Sequence, residues 1–104
     1  MGREYDKLVR DRIPEIIERD GETPVCHVAN DEEYERRLLD KLDEEIDEYR
    51  EDRDIGELAD IIEVVHAIRR YEGVSAGRLL ELRRTKAEER GRFDDRIVLE
   101  RVES

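Results

Sequence analysis

Between Ile55 and Tyr71 the chain places Leu58, Ala59, Ile61, Ile62, Val64, Val65 and Ile68 so that apolar side chains cover most of the circumference of one helix. A helix that is apolar nearly all round must be buried on more than one side. The remainder of the chain offers little to bury it with. Of its 104 residues, 49% are charged, 37% are hydrophobic, and none is tryptophan. A single domain of this size builds only a modest core. The expectation is one mainly all-α domain over residues 1–104, a four-helix bundle completed by oligomerisation. A homodimer or a dimer of dimers would bury the apolar helix near a two-fold interface.

The other elements follow from local signals. Pro14 suits a first helical turn, so a short helix is expected from about Ile13 to Arg19, ended by Asp20-Gly21. Asn30 or Asp31 can cap a second helix running to about Glu51, with Tyr34, Leu38, Leu39, Leu42, Ile46 and Tyr49 at helical spacing. Asp52-Arg53-Asp54 makes the turn into the apolar helix. Gly73 ends that helix, Ser75 caps a fourth, and Gly91 stops it after Arg90. Two β-like stretches, Thr23–Ala29 and Arg96–Val102, are candidates for a short two-stranded ribbon.

Acids punctuate the second and third helices in matching pairs. Glu45 and Glu48 are three apart, and so are Glu57 and Asp60. Residues at i and i+3 share one side of a helix. Two such helices packed antiparallel across a short turn bring four carboxylates together. The Glu45/Glu48 pair alone reads better as a solvated helix face than as a metal site. The second pair does not, because at about 100° per residue Glu57 falls among Ile61, Val64 and Ile68, and Asp60 between Val64 and Ala67. Carboxylates at the edge of a core are costly unless paired or bound to metal. A hard divalent cation with oxygen ligands is the natural occupant, Mg²⁺ first and Mn²⁺ as a substitute. Glu63, one turn beyond Asp60, could reach such an ion or orient a basic side chain. His66 reads as a core or interface histidine, His27 as a surface residue and Cys26 as a small apolar one.

Charge and composition exclude several classes. A net charge of −11 argues against a nucleic-acid polymer as partner. It leaves room for a small anionic substrate, because a metal ion inverts the local field. No apolar run approaches a membrane span, the first residues lack an apolar leader, and a single cysteine fits a reducing compartment. The expected location is cytoplasmic. Against this acidity, Lys7 and Arg10 ahead of the first helix, and Lys86 and Arg90 in the fourth, are candidates for holding an anion. Plain salt bridges are the competing reading.

Taken in order, Lys7-Leu-Val-Arg-Asp-Arg-Ile-Pro14, Lys41-Leu-Asp-Glu-Glu-Ile-Asp-Glu48, Glu57-Leu-Ala-Asp-Ile-Ile-Glu-Val64 and Lys86…Arg90-Gly-Arg-Phe93 resemble the MazG-like all-α nucleotide pyrophosphohydrolases. They are most similar to the phosphoribosyl-ATP pyrophosphatase-like branch of house-cleaning enzymes. The resemblance implies Glu45, Glu48, Glu57 and Asp60 as ligands of Mg²⁺. It further implies a nucleoside triphosphate as substrate, cleaved between its α- and β-phosphates to a monophosphate and pyrophosphate. In that chemistry Glu44 is the candidate general base, and Lys7, Arg10, Lys86 and Arg90 the candidate polyphosphate clamp. One departure is that only eight residues separate Glu48 from Glu57, fewer than in many relatives of that family. Two alternatives stand beside this reading. One is the phosphoribosyl-ATP pyrophosphatase of histidine biosynthesis. The other is a non-catalytic helical module that binds a partner through the apolar helix.

Overall fold

The computed structural model describes residues 2–104 and contains four helices: α1 (Ile13–Arg19), α2 (Asp31–Asp52), α3 (Ile55–Tyr71) and α4 (Ala76–Arg90). The caps explain the starts. The Asn30 side chain accepts from the Glu33 amide at 2.9 Å, Asp54 from the Gly56 amide at 2.8 Å and Ser75 from the Arg78 amide at 3.0 Å. Each satisfies a backbone donor that the first turn leaves without a partner.

Two residues, Arg53 and Asp54, join α2 to α3. Arg53 takes a left-handed conformation (φ 55°), and its amide closes α2 by donating to the Tyr49 carbonyl at 2.9 Å. So short a connection forces α3 back along α2, and this helical hairpin carries the only extensive helix–helix contact among the described residues. Its core is small. Leu38 on α2 and Val64 on α3 are the buried apolar side chains, 2% and 8% exposed. An edge-to-face pair of Tyr34 and Tyr71, with ring centres 5.6 Å apart, holds the end of the hairpin remote from the Arg53 turn. α4 touches α3 only lightly.

The all-α expectation holds, with helix boundaries within about a residue of those read from the caps. The ribbon does not form. Among the described residues there is no strand, and Val25 and Val98, at the centres of the two expected segments, are 96% and 82% exposed. A lone two-stranded ribbon is marginal in water unless one face packs against something, and no helix of this chain covers these segments. The turn expected before the second segment is present, with the Arg96 amide donating to the Phe93 carbonyl at 3.1 Å. Among the described residues no helix is long and apolar enough to cross a membrane.

The segment before α1 is fastened to the hairpin by charge. Arg37 on α2 donates to the Asp6 carbonyl at 2.7 Å and to the Asp6 carboxylate at 2.9 Å. Lys7 and Arg10 follow, reaching α2 and α3 respectively. The basic end of this segment is thereby laid beside the acids of the hairpin.

Candidate metal centre

The hairpin brings Glu45 from α2 together with Glu57 and Asp60 from α3. Each offers one carboxylate oxygen, and the three oxygens lie within 4.8 Å of one another. The i, i+3 spacing puts Glu57 and Asp60 on one side of α3, one turn apart. Antiparallel packing then sets that side against Glu45. Glu48, the fourth expected ligand, stands outside this trio, but its carboxylate helps raise the proton affinity of Glu57.

Burial makes the arrangement costly. Glu45 is only 6% exposed. One oxygen of Glu45 and one of Glu57, both named Oε2, are buried and have no hydrogen-bond partner. Buried polar atoms are rarely left in that state, and those that are point to strain, function or an absent ion. The proton affinities respond accordingly. Loss of solvent raises the Glu57 carboxyl first, its contact with Glu48 adds to this, and the charges of Asp52 and Asp60 contribute, so that it is pushed up to about 7. Burial likewise raises Glu45, opposed by Lys41 and reinforced by Glu48.

Two cations already stand against the cluster. Lys41 Nζ lies 3.3 Å from Glu45 and 2.9 Å from Glu44. Arg10 donates to Asp60 at 2.6 Å. These contacts neutralise part of the charge, but neither reaches the two partnerless oxygens. A donor set made only of carboxylates fits a hard divalent cation, which would neutralise the trio and engage those oxygens.

Glu44 faces another way. Lys7 and Lys41 each donate to it at 2.9 Å, one to each oxygen. Partial burial opposes its charge, yet the two lysines outweigh that effect and hold its carboxyl below the usual carboxylate range. Between Lys7 and α2 lies a hollow of about 290 Å³ lined in part by Tyr5, Lys7, Arg37, Lys41 and Glu44. Arg37 and Lys41 were not singled out from the sequence. Their spacing held the signal, since Lys41 precedes Glu44 by three residues and Glu45 by four, and Arg37 follows Glu33 by four.

Lys86 and Arg90 are not brought to the cluster within one chain. Among the described residues neither forms an ion pair with a carboxylate of the site, and α4 is exposed along most of its length. Glu63 pairs with Arg70 at 3.4 Å and is outside the trio. His66 is half-buried, and its Nδ1 accepts from Arg69 Nε at 3.0 Å, as a structural histidine would.

Over 44 residues this chain is 54% identical to an uncharacterized protein of Mycolicibacterium smegmatis, a stretch that makes up 42% of this chain and 45% of that protein. The chain therefore matches less than half the length of this relative. No protein-family model matches the chain, and no solved structure does.

Proposed function

We propose that the protein is a Mg²⁺-dependent nucleoside triphosphate pyrophosphohydrolase, cleaving between the α- and β-phosphates to give a nucleoside monophosphate and pyrophosphate. House-cleaning of noncanonical nucleotides is the role that suits it. The observation that carries this reading is the trio of Glu45, Glu57 and Asp60, in which one oxygen of Glu45 and one of Glu57 are buried without a hydrogen-bond partner. The sequence resemblance to MazG-like enzymes supplies the reaction class, and the residues found at the site are compatible with it.

Glu45, Glu57 and Asp60 would hold the ion, with Glu48 as the fourth ligand that the resemblance implies. Bound there, Mg²⁺ would neutralise charge on the phosphates and the leaving pyrophosphate. Arg10 is then freed from duty as the counterion of Asp60, while Lys7 stays with Glu44 until a phosphate competes for it. Both sit on a segment fastened by Arg37, so they can exchange carboxylate for phosphate oxygens with little loss of order. As Lys7 turns to phosphate, Glu44 loses one of its two lysine donors and becomes a better proton acceptor. Water adds to phosphorus, its proton passes to Glu44, and the anhydride bond breaks with pyrophosphate as the leaving group.

The test is pyrophosphate release from canonical, deaminated and oxidised nucleoside triphosphates and from phosphoribosyl-ATP. It is run with Mg²⁺, with Mn²⁺ and with chelator, beside Glu57→Gln. Metal-dependent turnover that Glu57→Gln abolishes supports the reading, and the preferred substrate separates house-cleaning from the histidine-pathway activity. Folded protein that turns over none of them in either moderate or high salt would replace this reading with the binding module.

A further inference from the structure

Five large apolar side chains fall within twelve residues after α4, and all are open to water. Phe93 is 96% exposed, Ile97 84%, Val98 82%, Leu99 77% and Val102 82%. The outward side of α3 is a second uncovered surface. Ile55, Ala59, Ile62 and His66 follow one another at intervals of four, three and four, the spacing of a helical stripe that receives a partner. Ile55 is 76% exposed and Ile62 56%.

The whole chain shows the same deficit. A folded monomer of 12.4 kDa exposes about 6,100 Å², whereas this chain exposes 9706 Å². Its radius of gyration is 18.3 Å, against about 13 Å for a compact domain of this length. The surplus of about 3,600 Å² exceeds the roughly 1,000–2,500 Å² that each subunit contributes to a permanent dimer.

Charge restricts how two copies can meet. Residues 1–91 carry 17 basic and 27 acidic residues, a net of −10, while residues 92–104 carry 3 basic and 4 acidic, a net of −1. Bare acidic hairpins would repel each other. The segment after α4 offers apolar side chains on a nearly neutral backbone of sequence. It is also long enough, since 13 extended residues reach about 40 Å and the 17 residues of α3 span about 25 Å.

We propose that residues 92–104 form an exchange arm that lies along the Ile55–Ala59–Ile62 stripe of α3 in a second copy of the chain, each copy giving one arm and receiving one. Gly91, at φ 82°, ends α4, and the apolar side chains after it stay exposed rather than packing on their own hairpin. The exchange covers both uncovered apolar surfaces at once. It also places a segment of net charge −1 between two strongly acidic bodies. This assembly stands independently of the proposed activity.

Sedimentation equilibrium tests it on the wild-type chain, on Ile62→Glu and on the double variant Ile97→Asp/Leu99→Asp. The wild type is expected to be dimeric and both variants monomeric with unchanged helical circular dichroism. The arm variant lies outside every helix, so its monomeric state is not a consequence of unfolding. A wild type that remains monomeric at 100-micromolar-scale concentration overturns the proposal, and so does an arm variant that still dimerises. A chain carrying Ile62→Cys and Leu99→Cys in a Cys26→Ser background settles the direction. Oxidation to covalent dimers supports exchange, and crosslinks closed within single chains overturn it.

Discussion

Metal binding at this cluster should expel protons in an amount set chiefly by Glu57. Its carboxyl is held near 7 by burial, by Glu48 and by the charges of Asp52 and Asp60. A bound cation requires the charged form. The ion-free site therefore carries most of a proton on Glu57 at pH 6, roughly half at pH 7 and little at pH 8. Binding releases that proton, with an additional contribution from Glu45, whose affinity for protons is also raised. Competition with a single proton of this affinity weakens apparent metal binding roughly tenfold between pH 8 and pH 6. The direction for the fold itself is the reverse. Glu57 keeps its proton in the metal-free fold up to about 7, whereas the unfolded chain gives it up near 4.5. Its contribution to metal-free stability is thus fully present below about 4.5 and is lost as the pH rises through about 7. Calorimetric titration with Mg²⁺ or Mn²⁺ in buffers of different ionisation enthalpy at pH 6, 7 and 8 reads the proton count directly. Proton release that is flat across this range, or an affinity that does not change with pH, would refute the reasoning.

Three further outcomes follow from particular contacts. Lys41→Met removes the cation beside the buried Glu45 and should cost about 1–3 kcal/mol in metal-free urea unfolding, with most of the loss recovered on adding Mg²⁺. Arg10→Ala frees Asp60 from an exposed ion pair worth about 0.2–1 kcal/mol, so bare Mg²⁺ affinity should rise by up to about fivefold while KM for a triphosphate rises as well. Leu38→Ala empties the most buried position of a very small core, and a loss of about 2–5 kcal/mol should leave the chain largely unfolded at room temperature, as circular dichroism would show.

The helices were legible because their ends are written locally. Asn30, Asp54 and Ser75 are caps whose side chains accept from the first turn, and Pro14 and Gly91 are hard boundaries. The carboxylate trio was legible because i, i+3 spacing and the apolar surroundings of Glu57 both survive translation into a hairpin. What the local pattern left open depends on position in space. The β-like segments have the composition of strands but no surface to lie on, so they stay unpaired. Lys86 and Arg90 are basic residues on a helix whose direction relative to α3 no local pattern specifies. Lys7 and Arg10 reached the site, but as partners of Glu44 and Asp60, which is the salt-bridge reading of the same residues.

The most direct test of the central claim is electron paramagnetic resonance of Mn²⁺ titrated into the wild-type chain and into Glu57→Gln, with Mg²⁺ as competitor. The wild type should bind Mn²⁺, quenching its free signal, Mg²⁺ should restore the signal, and Glu57→Gln should bind far more weakly. Equal binding by the two chains would contradict a metal centre built on Glu45, Glu57 and Asp60, and so would no binding by either.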